Sequence, residues 1–574
     1  MDCGGYLLNG DISILIGGPA GSGVFRSGQI ISKTLFRHGY HVVTNNEYPS
    51  IIRGGHQWVI VRASEEEIFS HRNYADIILA LDKLTINKHR ERLRENGLIV
   101  CDEGDAKIIE GEKCVSLPLK KIVSMYGAPS VAVNVVGIGA VFGLLDANID
   151  ILLRVIEESF RGKEKIAEIN KSLAREGYEH VKREYGSLED IPKVSTLKPL
   201  ENKILINGNE ATALGAVSGG LTFFAAYPMT PASPILHFLA EIQKELGIVV
   251  VQPESELAAI NMVIGAAYTG ARSMTATSGG GFSLMVEALG QAAMTEVPVV
   301  IVEAMRTGPS TGLPTYTSQS DLRFVMHASQ GEFVRAVLAP GDPYEAFVLT
   351  HEAMNIAWRY HIPVIVLTDK YLAESYWTVD SFPELEPQEY KIIRGEYRNG
   401  EYKRYVITDD GVSPMAVPGT KGALIVANSS EHNEHGFGST DPEVVTSMVD
   451  KRFRKLENLT REAEEKGVKV YGEGRVIVIT WGSTKNAVLE ATKNFWGVKV
   501  VQVLWLEPFP VNNVANALEG AERVLVIENN KTGQLVSLLK EKLLLEPDGF
   551  LGKYDGRPFL PEEIEEWITG FMEG

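Results

Sequence analysis

Short, mainly apolar runs recur along this chain, and most lead through a turn rich in glycine, proline or serine into a helical pattern. The clearest are 12–16, 77–81, 98–100, 222–226, 248–251, 273–277, 298–303, 363–368, 476–479, 499–504 and 524–527. Apolar runs of this length without alternation indicate strands buried on both faces, and a strand–turn–helix rhythm indicates mainly parallel sheets. The fold class is therefore α/β. At 574 residues the chain exceeds what one core can serve. Its rhythm divides into three α/β domains: 1–195, 200–420 with a polar insert at 380–420, and 421–574 with a tail. Pro192 and Pro199 mark the first linker, and the strand at 204–206 opens the second domain. The insert should be irregular with some hairpin, the charged run 163–184 a solvated helix, and the tail from Leu545 a segment packed on a partner.

Composition removes several functions. The formal charge of −18 argues against a nucleic-acid partner, because neutralising phosphates needs clustered Lys and Arg. Cys3, Cys101 and Cys114 are the only cysteines. They fit a reducing cytoplasmic location and are too few to ligate an iron–sulfur cluster unaided. No basic segment precedes the first apolar run, so no leader peptide is expected. The longest uncharged stretch, 122–145, contains Pro129, Asn134 and several glycines. It suits a buried loop plus helix better than a membrane span.

Chemistry concentrates where strands give way to helices, the edge at which open parallel sheets bind ligands. Tyr227-Pro228-Met229-Thr230-Pro231 follows one apolar run; Gln252-Pro253-Glu254-Ser255-Glu256 follows the next. The prolines restrict the backbone around Thr230, and a glutamate at a helix start is electrostatically favoured. Ser278-Gly279-Gly280-Gly281 removes side chains where something must approach the backbone. Arg306 ends a strand and is presented from a loop of Gly, Pro, Ser and Thr, with a planar fork that suits a carboxylate. Near the start, Gly18, Gly21 and Gly23 form a glycine turn that is not a strict GxGxxG, and Glu47 to His56, with Arg53, forms a second motif. A nicotinamide site, a turn that binds nothing, and a phosphate-approaching loop all remain open for it.

Taken in order, Tyr227 to Ser233, Glu256 to Met262, Thr275 to Leu284 and Arg306 to Gly312 resemble the α subunits of 2-oxoacid:ferredoxin oxidoreductases, in the form with a γ domain fused ahead of α. The resemblance implies a γ domain at 1–195 near coenzyme A, with Gly18, Gly21, Gly23 and Arg53 on that side. It implies a thiamine-pyrimidine-binding-like domain at 200–420 and a transketolase C-terminal-like domain at 421–574. Tyr227, Pro228, Ser278, Gly279 and Gly280 would then lie against thiamine diphosphate. Glu256 would hydrogen-bond the pyrimidine, Thr230 the substrate near its oxo group, and Arg306 its carboxylate. The chain lacks Gly-Asp-Gly, the usual metal–diphosphate motif of thiamine enzymes; it has Asn529-Asn530 alone, and Glu528 to Gln534 resembles the corresponding turn of the α subunit's third domain. No metal is therefore expected here: Mg2+, the diphosphate half-site and a 4Fe-4S cluster are expected on a β subunit. Coenzyme A and ferredoxin would be reaction partners, the assembly a heteromer such as (αβ)2, and the substrate a 2-oxoacid, 2-oxoglutarate ahead of pyruvate and branched or aromatic oxoacids. The rivals are a transketolase-like transferase subunit and a non-catalytic nucleotide-binding protein.

Overall fold

The computed structural model describes residues 10–51, 54–106, 113–186, 188 and 191–573. Two compact units divide them. One runs to residue 206 and takes in 374–381 and 560–562; the other comprises 207–373, 382–559 and the stretch from 563.

The first unit is built on an eight-stranded sheet. Its strands are β1 (Ile12–Pro19), β2 (His41–Glu47), β3 (His56–Ser64), β4 (Ala75–Ala80), β5 (Leu93–Asp102), β6 (Cys114–Leu117), β7 (Lys203–Asn207) and β14 (Tyr376–Asp380). They lie in the order β6-β5-β4-β1-β3-β2-β14-β7. The β1, β4, β5 and β6 half is parallel, whereas β3 runs antiparallel to both β1 and β2. The strand at 204–206 therefore belongs to this sheet's edge and does not open the second one. Apolar rhythm alone carries no information about which sheet an edge strand joins.

The uncharged stretch 122–145 resolves into the end of helix Leu119–Met125, a turn, and helix Val133–Leu144, which is buried on every side. A Cβ on Gly143 would sit 2.9 Å from the Tyr178 carbonyl, so this glycine lets helix Glu164–Glu184 approach backbone to backbone. That charged helix is consequently not simply solvated: it buries Ala167, Leu173, Ala174, Gly177 and Val181. No helix among the described residues is long and apolar enough to cross a membrane. Cys101 and Cys114 are free thiols 3.5 Å apart on β5 and β6, and Cys3 lies outside the described residues.

The second unit holds two sheets. The larger contains β8 (Phe223–Ala225), β9 (Val249–Val251), β10 (Ser273–Thr277), β11 (Val299–Met305), β12 (Ala336–Leu338), β13 (Pro363–Asp369) and β20 (Trp505–Glu507), in the order β20-β12-β13-β11-β10-β8-β9. All are parallel but β20. The smaller contains β17 (Val468–Tyr471), β18 (Gly474–Trp481), β19 (Gly497–Val503), β21 (Arg523–Glu528) and β22 (Gly549–Gly552), parallel except for β17. One apolar core runs from Ala259, Ile260 and Phe282 under the larger sheet to Trp481, Val501 and Val526 of the smaller. This shared core, together with β20 joining the larger sheet, makes one compact unit of the stretches expected as separate domains. The tail pairs with β21 through β22, so it completes its own sheet. In the insert, the hairpin is replaced by a two-residue parallel pairing of β15 (Ile392–Ile393) with β16 (Met415–Ala416). Helix Pro442–Lys466 is fastened by Lys451 and Lys455, whose ammonium groups reach the two oxygens of wholly buried Glu296 at 2.5 and 2.6 Å.

Candidate active site

The carboxyl ends of β8, β9, β10, β11 and β13 form one edge of the larger sheet, and four of the loops leaving it carry the residues singled out above. After β9 the chain reaches Ser255, whose hydroxyl accepts from the Ala258 N–H at 3.2 Å and caps helix Glu256–Tyr268. That cap turns Glu256 inward, where it is 4% exposed, while Glu254 stays exposed. Glu256 Oε1 has no hydrogen-bond partner within the chain. Its neighbour is the glycine turn after β10: a Cβ on Gly281 would lie 2.8 Å from Oε1 and nearer still to the Thr277 hydroxyl. Gly280 is open, with only Met229 at 3.9 Å, and Gly279 begins helix Gly279–Met294. Ser278 is buried with its hydroxyl unpartnered.

After β8, Tyr227 is 39% exposed, and Pro228 and Thr230 are partly buried. Arg306 Nη1 donates to the Thr230 carbonyl at 2.9 Å, which joins the loops after β8 and β11. Thr230, Glu256, Arg306 and Ser278 to Gly281 thus gather at one sheet edge.

Three carboxyls escaped the sequence reading. Glu303, inside β11, is wholly buried, and neither oxygen has a partner. Burial, then Asp321 and Asp369, push its carboxyl well above the usual range, against the pull of Arg306. Burial raises Asp321 to about 6, and Asp321 Oδ2 lies 2.5 Å from where a Cβ on Gly279 would be. Asp369 ends β13; its Oδ1 accepts from the Leu372 N–H at 3.0 Å and the Thr317 hydroxyl at 3.2 Å. Burial also lowers Arg306, and Glu303 partly restores it. A glutamate inside the apolar run Val299 to Met305 was the available signal, since a strand buried on both faces cannot solvate a carboxylate.

Asn529 and Asn530 prove to be fasteners. Gln319 Oε1 accepts from the Asn529 N–H at 2.8 Å and the Thr484 hydroxyl at 2.6 Å, and its amide donates to the Trp481 carbonyl at 2.8 Å. The Asn530 amide donates to the Gln319 carbonyl at 3.0 Å and to Glu528 at 2.7 Å. Glu528 also accepts from the Leu535 N–H at 3.0 Å. The Glu528 to Gln534 turn is therefore tied to the loop ahead of Asp321. Among the described residues, no group of three or more His, Cys, Asp and Glu is arranged to hold a metal ion.

In the first unit, Gly21 and Gly23 adopt φ of +90° and +80°, and Gly23 caps helix Val24–Arg37. The Ala20 N–H donates to the Gly55 carbonyl at 3.0 Å, joining the two motifs of that unit. Gly18 lies within β1, one residue before the strand ends at Pro19; Arg53 lies outside the described residues. The strand after the glycine turn does not lie beside β1 in parallel, as a dinucleotide-binding unit requires, because antiparallel β3 intervenes. His56 and His89 approach at 2.8 Å beside the turn, and burial drives His89 down to about 3.

Two family profiles match: "pyruvate ferredoxin/flavodoxin oxidoreductase" over residues 13–180, and "pyruvate flavodoxin/ferredoxin oxidoreductase, thiamine diP-bdg" over 214–451. The 2-oxoacid:ferredoxin oxidoreductase subunit alpha of Saccharolobus solfataricus is 36% identical, covering 98% of both chains. The 2-oxoglutarate oxidoreductase subunit KorA of Mycobacterium tuberculosis is 30% identical over 98% of this chain and 92% of its own. The 2-oxoglutarate:ferredoxin oxidoreductase of Magnetococcus marinus, solved with 2-oxoglutarate, coenzyme A and succinyl-CoA bound, aligns at a TM-score of 0.88 with 32% identity, covering 98% of this chain and 99% of that one. Fold and matches together define an α/β oxidoreductase subunit. The chain belongs to the α subunits of the 2-oxoacid:ferredoxin oxidoreductases.

Proposed function

We propose that the sheet edge around Glu256 is the α-side half of a thiamine diphosphate site. There a 2-oxoacid, 2-oxoglutarate first among them, is oxidatively decarboxylated with coenzyme A. The overall change consumes the 2-oxoacid anion and the thiol and gives acyl-coenzyme A, carbon dioxide and one proton, with two electrons leaving singly to ferredoxin. The observation that carries this reading is the buried, unpartnered Glu256 Oε1 set against a glycine turn with no side chains. A cofactor ring nitrogen is the kind of partner such an oxygen requires. Thiamine diphosphate, when bound, supplies the electron sink for decarboxylation.

This chain's own part is to hold and orient. Glu256 keeps a proton at the pyrimidine; Tyr227, Pro228 and Ser278 to Gly280 form the wall beside it. Thr230 would hydrogen-bond the substrate's oxo end, and Arg306, already anchored on the Thr230 carbonyl, would take its carboxylate. Gly18, Gly21, Gly23 and Arg53 would serve the coenzyme A side. The positive-φ glycines support close backbone approach, and the uncharged His89 adds no cation to it. A β subunit would supply the Mg2+–diphosphate half-site and the iron–sulfur cluster, since three cysteines cannot ligate one.

Coexpression with a cysteine-bearing β chain tests this. The isolated chain should be colourless and inactive, and the complex brown, thiamine-containing and faster with 2-oxoglutarate than with pyruvate. Stoichiometric iron in the isolated chain, or a complex without thiamine diphosphate, would overturn it.

A further inference from the structure

Arg306 leaves β11 directly after Met305, whose neighbour across the sheet is Asp369 of β13. Beyond it the chain makes an exposed loop, 308–313, that folds back on Thr307. All three polar groups of Thr307 are engaged there. Its N–H donates to the Tyr316 carbonyl at 3.0 Å, its carbonyl accepts from the Leu313 N–H at 2.9 Å, and its hydroxyl donates to the Thr317 carbonyl at 2.9 Å. The peptide between Arg306 and Thr307 is planar, so holding the Thr307 N–H fixes the direction in which the arginine departs.

The foot of this loop is held from far along the chain. The Thr317 N–H donates to the Gly556 carbonyl at 3.0 Å. Gly556 lies close against the loop: a Cβ there would sit 3.1 Å from Tyr316, 3.2 Å from Leu313 and 3.3 Å from Thr307 Oγ1. The stretch that carries Gly556 follows β22, and one side chain spans it. Asn529, buried and directly after β21, donates from its amide nitrogen to the Lys553 carbonyl at 3.1 Å and to the Arg557 carbonyl at 3.0 Å. Both amide hydrogens are used, one at each end of 553–557, which a hydroxyl, a carboxylate or an apolar side chain could not reproduce.

We propose that Asn529 is a positioning residue for Arg306. It shapes the 553–557 stretch, Gly556 of that stretch braces Thr307 and Thr317, and the brace keeps the guanidinium aimed at the carboxylate of a 2-oxoacid. This rests on the reading of Arg306 as the substrate-carboxylate ligand. Contacts alone carry the effect, with no transfer of a proton or an electron. The brace is complete before substrate arrives, so releasing it lets Arg306 sample orientations that do not meet the carboxylate. That loss falls on binding and appears in KM and not in kcat.

The test uses the complex assembled with its β subunit, saturated with coenzyme A. KM and kcat for the 2-oxoacid are measured in the wild type, Asn529→Ala, Thr307→Val, Thr307→Ser and Arg306→Ala, and in Arg306→Ala combined with Asn529→Ala or Thr307→Val. Asn529→Ala and Thr307→Val should each raise KM roughly five- to tenfold and leave kcat within about twofold of wild type. Thr307→Ser keeps the hydroxyl and should restore the wild-type KM. In the Arg306→Ala background neither change should add more than about twofold, because the effect has no other route. Hydrogen exchange on the wild-type complex should show the Thr307 and Thr317 amides protected, a measurement that stands even if a variant fails to assemble. Losses that add fully in the combined variants, a fall in kcat at constant KM, Thr307→Ser as impaired as Thr307→Val, or an unprotected Thr317 amide overturns the proposal. If Arg306→Ala leaves kcat/KM unchanged, the underlying reading of Arg306 falls as well. If Arg306→Ala lowers kcat/KM and the losses still add, only the role of Asn529 falls.

Discussion

Replacing Gly281 by alanine should separate catalytic geometry from stability. Gly281 lies inside helix Gly279–Met294 with an ordinary helical φ, so an added methyl brings no backbone strain and about 1 kcal/mol of helix propensity. The same methyl would meet Glu256 Cγ at 2.7 Å and Oε1 at 2.8 Å, and Thr277 Oγ1 closer still. Overpacking of this kind costs about 1–3 kcal/mol, so the net loss is about 0–2 kcal/mol, a small decrease in melting temperature for a chain of this size. The relief is a shift of the Glu256 carboxyl, and a displacement of about 1 Å in a reacting group can cost about a hundredfold in rate. Expected, then, is a fold and cluster content near wild type, with kcat for reduction of an artificial electron acceptor down by roughly two orders of magnitude. Thr277→Ala added to Gly281→Ala should recover stability without recovering kcat, because the contact with Glu256 persists. Gly280→Ala is the control: its methyl would meet only Met229 at 3.9 Å, so the fold should be untouched and only cofactor affinity should fall. Full kcat in Gly281→Ala would refute the placement of Glu256 as the group that matters at this turn.

Arg306→Ala should lower kcat/KM for the 2-oxoacid by about 2–4 kcal/mol, roughly thirty- to a thousandfold, with thiamine binding nearly intact and only partial recovery in Arg306→Lys. Glu256→Gln should reduce kcat about a hundredfold or more and slow hydrogen–deuterium exchange at the thiazolium carbon, whereas exposed Glu254→Gln should do little. Equal effects from the two variants would remove Glu256 from its role. Asp321 has a folded value of about 6, above the ordinary carboxylate value, so folding favours its protonated form. The associated stability is complete below about pH 4 and is lost as pH rises through about 6, a loss of at most about 3 kcal/mol before solvent screening. Asp321→Asn should thus raise the melting temperature of the complex near pH 7 and leave it unchanged near pH 4, which a pH series of melting curves reads directly.

The sequence by itself determined the β/α rhythm, because strands buried on both faces must be written as continuous apolar runs, as at Val299 to Met305 and Pro363 to Asp369. It also held the signals on which the proposed site rests: a glycine turn, a glutamate at a helix start and an arginine at a strand exit are local features that need no partner to be read. Tertiary structure alone decided which sheet an edge strand joins, as with β7 and β20, and whether two sheets share one core. Those outcomes depend on pairings between residues far apart in the chain, which leave no local periodicity. The same reason hid the site's electrostatics. Glu303 is one letter in an apolar run until β10, β13 and the loop ending at Asp321 close around it. Asn529 and Asn530 likewise have no legible role in the sequence until Gln319, more than two hundred residues earlier, takes up their hydrogen bonds. Burial and charge proximity are properties of the folded chain, so the groups whose chemistry depends on them emerge only with the fold.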